Sequence, residues 1–453
     1  MSEKITSHII DIKDEFCLMD IRQKKNKYVS ESEVINDLKR VFMVVDSTPE
    51  VFVIKDYDSI NDFVKISYTT ESIAKSKLKK IIIGYNSEKK PVNAWKIYLQ
   101  HTELFTVKAL KFYSEDPHVF SYFRRYDYNK LDEVKEQVIK PFLDHVFNVI
   151  ANKNDAVYKY IIAWIAAILQ RPNFKVGVAL TIIGKQGSGK NTFFTDIICQ
   201  LMARYANNNI TDIEDIVGKF NASLENKKLI VVNELKSVDM NKQLNSDALK
   251  SVITDRTINI NQKNEPVRLC ENVSNFIFVS NNDIPLKIEG NDRRYCVMKT
   301  SDEHVKDWDY FGKLSESLTN PEFYENLFTF FMMQDLSDVN LRMIPETEAK
   351  ETIQEASMTS YELFIRENYD DINDKTGPEL FDMYNDFIKQ NRFNECSSRT
   401  FITNIKPFVE PPKSKRINGS VVRVYTLKAD IYEKHKKYHE DLEKNIVEEL
   451  YTL

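Results

Sequence analysis

The chain has 453 residues, of which 42% are hydrophobic and 29% are charged, and its formal net charge at pH 7 is -5. This length predicts two to four compact units. The acidic balance excludes a long-range attraction of the whole surface for nucleic acid, so any contact with DNA has to come from local basic elements. The five cysteines lack a Cys-x-x-Cys pair, which argues against a disulfide framework or structural zinc site and favours a reducing compartment.

Membrane association is not expected from the hydropathy pattern. The longest apolar stretch, residues 160–169, is far shorter than the ~20 residues that a membrane-spanning helix requires. No basic segment followed by an apolar segment opens the chain, as it would in a secretory signal. We therefore expect a cytoplasmic protein with no membrane partner.

The amino-terminal region, residues 1–128, combines short strand-like runs with charged turns, which predicts a small accessory α+β region. Asp56 and Asp58 follow the first run, and we interpret this acidic pair as a turn. The strand-like runs are Val51–Ile54, Phe63–Tyr68 and Lys80–Gly84.

Residues 129–174 predict a helical collar beneath the module that follows. Apolar residues recur at helical spacing over residues 131–151 and 155–170. The dipeptide Arg171-Pro172 ends the second helix, because proline cannot continue a helical hydrogen-bond ladder.

Strands and helices alternate over residues 175–300, which predicts an α/β domain with a mostly parallel sheet. The apolar run 176–183 indicates a buried strand and leads into the pattern G-x-x-x-x-G-K of a P-loop. Backbone N–H groups of such a loop surround phosphate oxygens, and its lysine reaches the outer phosphates. The predicted nucleotide-binding residues are Gly184, Gly187, Ser188, Gly189, Lys190, Asn191 and Thr192.

Magnesium ligation is less regular than phosphate binding in this sequence. Asn191 stands where a serine or threonine usually holds the metal, with Thr192 one place later. The strand 229–232 ends in Asn233-Glu234, where a P-loop ATPase needs carboxylates for magnesium and for the attacking water. Glu234 is therefore the catalytic-base candidate, and the candidate metal ligands are Asn191, Thr192, Asn233 and Glu234.

Two further motifs follow in the same region. The apolar strand 276–279 ends in Ser280-Asn281-Asn282, where an amide beside the P-loop strand can contact the γ-phosphate or orient water. Asn291-Asp292-Arg293-Arg294 then places two guanidinium groups on a loop. In a ring ATPase such a loop faces the neighbouring subunit, and an arginine finger raises turnover ~10³- to 10⁵-fold.

A basic hairpin is predicted between these motifs, because residues 257–261 alternate with a period of two and a polar turn precedes the strand 266–269. Lys263 lies at its tip. In the central hole of a ring, this lysine could contact the phosphates of a single strand, with Lys250 and Arg268 in support. A hairpin tip that lysine merely keeps soluble is the alternative.

The remaining chain predicts a helical connector, residues 301–360, and a winged-helix domain with a terminal charged helix, residues 361–453. The winged helix is indicated by helices over 379–391 and 398–408 and by a basic hairpin over 413–425. A winged module used only for protein contacts is the alternative. In the winged-helix domain, the candidate phosphate contacts are Arg399, Lys406, Lys415 and Arg416.

The order of these motifs, from the P-loop through Asn-Glu, the hairpin, Ser-Asn-Asn and Asp-Arg-Arg, resembles that of the superfamily 3 helicases of viruses and plasmids. The nearest resemblance is to the primase-helicase group, which includes poxvirus-type NTPases and phage proteins. Residues 160–172 are similar to the collar helix of that group. The resemblance implies an AAA+-like P-loop ATPase domain with a collar, a small α+β amino-terminal region and a winged-helix tail.

The resemblance also implies roles for single residues. Lys190 would bind the β- and γ-phosphates, Glu234 would activate water and Asn281 would sense the γ-phosphate. Arg293 or Arg294 would act across a subunit interface.

The function implied by the resemblance is that of a hexameric, ATP- and Mg²⁺-dependent replicative helicase. It would translocate on single-stranded DNA, with Lys263 holding the strand, and unwind forked DNA in a viral or plasmid genome. The host cell cytoplasm or a viral replication site would be its location, and a primase or polymerase is a candidate partner. The alternative is a P-loop ATPase that packages or remodels DNA, or an origin-binding initiator, without unwinding. A small-molecule phosphotransferase is disfavoured because it has no use for a basic hairpin.

Overall fold

The computed structural model describes residues 15–24, 27–47, 50–58, 63–233, 243–263, 265, 267–417 and 420–452. The chain divides into two compact units. The first contains residues 1–287 and 292–351, and the second contains residues 288–291 and 352–453. The break after residue 351 falls inside the region that the sequence predicts as a connector, whereas residues 288–291 lie in the predicted α/β domain.

The amino-terminal region of the first unit is built on a four-stranded sheet of order β3-β2-β1-β6, in which β1 is antiparallel to β2 and parallel to β6. Aromatic rings of Phe42, Phe52, Tyr98 and Phe105 pack together in its core. The elements are α1 Leu18–Gln23, α2 Glu31–Lys39, β1 Phe42–Val45, β2 Val51–Asp58, β3 Phe63–Thr69, α3 Glu71–Lys79, β4 Ile82–Tyr85, β5 Pro91–Asn93, α4 Ala94–Gln100, β6 Thr106–Val107, β7 Ala109–Lys111 and β8 Val119–Ser121.

The interpretation of Asp56 and Asp58 as a turn is wrong, because β2 continues through both residues and pairs with β3 along most of its length. A carboxylate oxygen of Asp56 lies 3.1 Å from Lys77 Nζ. The α+β character predicted for this region agrees with its mixed strands and helices.

Two helices precede the main sheet: α5 Glu136–His145, which continues into a π-helical turn over Val146–Ile150, and α6 Asp155–Gln170. The α6 helix is apolar nearly all round and is mostly buried, as expected for a helix enclosed by other elements. Two of its side chains form hydrogen bonds inside the protein. Trp164 Nε1 donates to the Val178 carbonyl at 2.9 Å, and the Tyr160 hydroxyl donates to the Leu341 carbonyl at 2.7 Å.

The main sheet has five parallel strands in the order β10-β11-β14-β9-β15. Its central strands are continuous apolar runs because both faces are covered. Since all strands run the same way, their carboxyl ends meet at one edge, the carboxyl edge, and their starts at the other, the amino edge. The elements are β9 Ala179–Ile183, α7 Asp196–Met202, β10 Ala206–Ile210, α8 Glu214–Val217, β11 Leu229–Val232, α9 Gln243–Thr254, β12 Thr257–Ile260, β13 Arg268–Glu271, β14 Asn275–Ser280 and β15 Tyr295–Lys299.

Strands β12 and β13 form the antiparallel hairpin that the sequence predicts, outside the main sheet. Three helices follow the sheet: α10 Trp308–Leu318, α11 Phe323–Met332 and α12 Glu348–Ala356. The α11 helix packs against α5 and α6, and its Asn326 and Thr329 side chains accept the N–H groups of Lys135 and Leu131. These contacts tie the chain leading into α5 to α11.

The second unit combines helices with a three-stranded sheet of order β16-β18-β17. Capping boxes at Thr359 and Thr376 start its helices α13 and α14. The elements are α13 Ser360–Glu367, β16 Lys375–Thr376, α14 Gly377–Asn391, α15 Ser398–Ile405, β17 Lys413–Ile417, β18 Ser420–Tyr425 and α16 Ala429–Thr452. Among the helices of the described residues, none is both long and apolar enough to cross a membrane.

Candidate nucleotide site and basic elements

The P-loop lies at the carboxyl edge, directly after β9, which lies between β14 and β15 in the main sheet. Gly187 and Gly189 have φ angles of 85° and 80°, which residues other than glycine rarely adopt. Lys190 is 5% exposed, and its ammonium group donates to the carbonyls of Gly184 and Lys185 at 3.0 and 2.9 Å. The loop backbone therefore fixes the position of the lysine that the sequence assigns to phosphate binding.

Side chains from other elements crowd the loop so closely that only glycine fits at two positions. A Cβ atom on Gly189 would lie 2.7 Å from the Phe311 ring and 2.8 Å from His145, and one on Gly184 would overlap the Thr300 hydroxyl. The Lys306 side chain would lie 3.8 Å from a Cβ on Gly187. Residues 300–311 and the end of α5 thus form the back wall of the loop.

His145 connects this wall to the P-loop. Its Nδ1 atom and the Tyr310 hydroxyl share a hydrogen bond of 3.0 Å, and the Tyr310 ring stacks on His304 with 3.8 Å between centroids. Burial lowers the pKa of His145 to about 4, so the imidazole is neutral near pH 7. Trp308, in the same segment, is 82% exposed.

Two polar strand ends meet the P-loop at this edge. Asn281, after β14, accepts a hydrogen bond of 2.7 Å from Lys190 Nζ. Asn233, after β11, accepts one of 3.1 Å from Asn191 Nδ2 and donates one to the Asn208 carbonyl. The structure therefore brings together Lys190, Asn191, Asn233 and Asn281, while Glu234 lies outside the described residues.

The loop suits a phosphate chain. Ser188 is 1% exposed, and among the described residues its hydroxyl oxygen has no hydrogen-bond partner, as expected of a group that bonds a ligand. A cavity of about 260 Å³ opens here, lined by Gln186, Gly187, Gly189, Lys190, Asn191, Thr192, Val279, Ser280 and Asn281. These residues could hold the triphosphate of ATP.

The fit to a divalent cation is weaker. Mg²⁺ prefers carboxylate, phosphate and water oxygens, yet the described candidate ligands are two amides, which bond each other, and the exposed Thr192. Within the described ranges, no cluster of three or more His, Cys, Asp or Glu residues could hold a metal ion. The phosphates would therefore have to supply much of the coordination.

The paired arginines lie at the opposite, amino edge, immediately before β15. Arg293 is exposed, whereas Arg294 bonds Asp292 through its backbone N–H at 2.8 Å and its guanidinium group at 3.3 Å. The five-residue strand β9 separates this edge from the P-loop by ~16 Å. Neither arginine can reach a nucleotide on its own P-loop.

The predicted strand-binding residues of the first hairpin have different surroundings. Lys263 is exposed in the turn between β12 and β13. Lys250 lies in α9 with its side chain 12% exposed and 3.2 Å from Asp247. Arg268 is buried, bonds Glu225 and Glu265, and stacks 3.8 Å from the centre of the Tyr68 ring. The contact of Arg268 with DNA is thus disfavoured, because its guanidinium group is used inside the protein.

The basic residues predicted for the second unit are all on its surface. Arg399, Lys406, Lys415 and Arg416 are exposed, and within the described residues Lys415 has an acidic partner, Asp374 at 2.8 Å. Arg399 belongs to α15, and Lys415 and Arg416 belong to β17.

Comparisons with known proteins agree with an α/β fold. Residues 182–294, from the P-loop strand to the paired arginines, match the model of a protein family of unknown function, DUF5906. A DNA primase-polymerase of Nitratiruptor phage NrS-1 is 31% identical over 264 residues, which are 57% of this chain and 35% of the phage protein. The chain thus spans about a third of the curated relative that it matches.

Solved structures of the C-terminal region of NrS-1 resemble most of the chain. One apo structure gives a TM-score of 0.59 at 20% identity and covers 86% of this chain and 97% of its own. Another gives a TM-score of 0.58 at 19% identity and covers 92% and 100%. At this identity the likeness shows a shared mixed α/β fold with a parallel sheet and many helices.

Several residues at the site escape prediction from sequence. His145, Thr300 and Phe311 contact the P-loop from outside the motif itself, and no spacing or motif links them to it. Only the position of His145 in a predicted helix before the P-loop strand offers a signal. The remaining contacts depend on tertiary packing.

Proposed function

We propose that this chain is an ATP-driven DNA helicase of the superfamily 3 type that acts in replication of a phage or related genome. Its P-loop, collar and winged-helix-like unit would form an AAA+-like motor, and a ring of six copies would translocate on single-stranded DNA. The observation that carries the proposal is the placement of Lys190 and the paired arginines at opposite edges of one sheet. Such an arrangement suits a site completed by two copies.

The chemistry at the P-loop follows from groups that the chain supplies. Lys190 and the loop N–H groups would bind the β- and γ-phosphates of ATP, with Mg²⁺ offsetting their charge. Asn281, bonded to Lys190 at 2.7 Å, would sense the γ-phosphate and transmit its presence to β14. Glu234 would accept the proton of the attacking water, and Arg293 or Arg294 of a second copy would stabilise the charge on the transferred group.

The DNA contacts would come from exposed basic residues. Lys263 at the hairpin tip suits the phosphates of a single strand, and the exposed cations of α15 and β17 suit the duplex or fork. Similarity to a phage primase-polymerase supports a role in DNA replication. A primase or polymerase is therefore a candidate partner.

The first test is Lys190→Ala, for which we expect complete loss of ATP hydrolysis with an unchanged thermal unfolding curve. The reason is that the ammonium group would contact the outer phosphates, whereas its bonds within the protein include two loop carbonyls and Asn281, whose oxygens water can also satisfy. Lys185→Ala is the matched control, since Lys185 belongs to the same loop but forms an exposed ion pair with Asp302. Normal turnover by the Lys190 variant would reject the site.

Unwinding of forked DNA separates the proposal from its alternative. A packaging or remodelling ATPase, or an origin-binding initiator, would hydrolyse ATP and bind DNA without opening a duplex. The measurement is strand displacement from forks with either tail, together with particle mass in the presence of nucleotide. Full ATP hydrolysis by a protein that stays monomeric with nucleotide would overturn the proposed ring.

A further inference from the structure

A second and larger cavity, of about 630 Å³, opens at the amino edge of the main sheet. Segments from five parts of the first unit line it: the end of α6, the chain before β9, the first hairpin with the chain leading into it, the chain before β15 and the loop after α11. Four of these segments contribute arginine. The arginines of this cavity, here called the arginine pocket, are Arg171, Arg256, Arg293, Arg294 and Arg342.

The arginine pocket is positive, although Arg294 is paired with Asp292. Its one lining carboxylate, Glu271, accepts the Phe112 backbone N–H at 2.8 Å. In the described part of the chain, no ion pair engages Arg171, Arg256 or Arg342. Like charges gathered in one concavity repel each other, so the arrangement favours an anionic ligand.

Two lysines bond backbone carbonyls of the wall behind these arginines. Lys175 lines the cavity and donates its ammonium hydrogens to the carbonyls of Val252 and Ser274 at 2.9 and 2.8 Å. Lys228 fixes the chain after α6 in the same way, through the carbonyls of Arg171 and Phe174. These bonds hold the backbone segments that carry the arginines, which reduces the conformational entropy lost when a ligand binds.

Planar guanidinium groups bond phosphate oxygens in pairs, so converging arginines suit a ligand with several phosphates. We propose that the arginine pocket binds the phosphate chain of a nucleoside triphosphate held on the P-loop of a second copy. Arg171, Arg256 and Arg342 then act beside Arg293 and Arg294. A polynucleotide needs a groove along its backbone, whereas this cavity of about 630 Å³ gathers five arginines in one place, which suits a triphosphate better. The inference rests on the proposed function, because it needs ATP on the P-loop.

Direct binding tests the pocket apart from catalysis. Inorganic tripolyphosphate is titrated into the Lys190→Ala protein by calorimetry, with and without the additional changes Arg256→Ala and Arg342→Ala. Each charge-assisted hydrogen bond lost is expected to weaken binding by ~10-fold or more. Arg125→Ala, at an exposed arginine outside the cavity, is the matched control. Tripolyphosphate binding that is absent, or equal with and without Arg256 and Arg342, overturns the pocket.

Mixing two variants then tests whether the triphosphate is held on the P-loop of a second copy. The Arg256→Ala/Arg342→Ala protein, with its P-loop intact, should hydrolyse ATP ~10-fold or more slowly than the wild type. Equal mixing with Lys190→Ala protein, which has intact arginines, should restore hydrolysis above the sum of the two separate rates. No loss in the double variant, or no recovery on mixing, overturns the proposal.

Further measurements distinguish triphosphate binding from DNA binding, and failure of the pocket from failure of the proposed function. Normal hydrolysis with weakened single-strand binding in the double variant overturns the triphosphate and assigns the pocket to DNA. If the alanine variant does not fold, Arg256→Lys/Arg342→Lys takes its place, because lysine keeps the charge but loses the paired donors. A wild-type protein without ATPase activity refutes the proposed function, whereas tripolyphosphate binding still decides whether the pocket recognises phosphates.

Discussion

The two basic hairpins of this chain use the cations on their strands in opposite ways. In the first hairpin, β12–β13, Arg268 is turned inward onto Glu225 and covers the face of the Tyr68 ring. In the second hairpin, β17–β18, Lys415 and Arg416 remain on the surface. Both segments look alike in sequence, as arginines and lysines in or between short strands. In each hairpin a cation is paired with a carboxylate from another segment, but the Arg268–Glu225 pair is largely buried and the Lys415–Asp374 pair is exposed. A basic hairpin is therefore not by itself a nucleic-acid contact.

The largest effect is expected from Arg268→Ala, which should lower the free energy of unfolding by about 3 to 5 kcal/mol, because it leaves the carboxylate of Glu225 buried without its partner. The measurement is urea unfolding followed by circular dichroism. Arg416→Ala, on the exposed strand of the second hairpin, is the control and should change stability by ~0.5 kcal/mol or less. Equal stability of the two variants would show that Arg268 is dispensable for folding.

A chemical probe should next test the burial of the first hairpin. Burial, with the nearby Glu225 carboxylate, raises the pKa of Cys270 in β13 to about 12. Near pH 8 its thiolate fraction is then roughly 1,000-fold below that of an ordinary cysteine, and alkylation should slow by a similar factor. Mass spectrometry of iodoacetamide-treated protein measures the rate. The Arg268→Ala variant should expose Cys270, and rapid alkylation in the wild-type protein would contradict the buried hairpin.

A moderate effect is expected at the tip of the first hairpin. Lys263→Ala should weaken single-strand binding and reduce the slope of log affinity against log salt by about 0.7, the contribution of one phosphate contact. Fluorescence anisotropy with labelled single strands over a salt series gives the slope. The matched control is Lys287→Ala, which removes one lysine outside the hairpin and should leave the slope unchanged. An unchanged slope in the Lys263→Ala protein would show that the lysine at the tip does not contact the single strand and only keeps the hairpin soluble.

The smallest effect should follow Asp374→Asn, which removes the charge of the exposed partner of Lys415 and tolerates the φ of 64° at this position. Exposed ion pairs contribute little, so the free energy of unfolding should fall by less than about 1 kcal/mol. Thermal unfolding of the variant measures this change. A loss as large as that of Arg268→Ala would mean that the second hairpin depends on its charges as the first does.

The parts of the fold that sequence predicts well are those with strong local patterns. Strands β9, β11 and β14 are apolar runs that end at polar residues or glycine, so their existence and their ends follow from the sequence alone. Strand β10 escapes prediction because its residues are mostly asparagine, which is uncommon in strands. The interpretation of Asp56 and Asp58 fails because pairing with β3 outweighs the turn preference of aspartate.

The residues of the candidate sites likewise fall into some that the sequence predicts and some that it does not. The P-loop and Asn281 could be predicted because glycine spacing and strand ends are local features. The burial of Arg268 could not, since Glu225 lies 43 residues away in the chain. That Arg256 and Arg342 line the same cavity likewise depends on the tertiary fold. Sequence patterns therefore locate strand ends, whereas the tertiary fold decides which charges meet there.

The exposure of Trp308 gives the molecule a built-in optical reporter. Of the three tryptophans, Trp95 and Trp164 are 4% and 0% exposed and should emit at short wavelength whatever the loop does. Trp308 lies two residues from Lys306, whose side chain borders Gly187. Its long-wavelength emission should therefore change when the phosphate loop changes shape, so intrinsic fluorescence could follow nucleotide exchange without an attached dye.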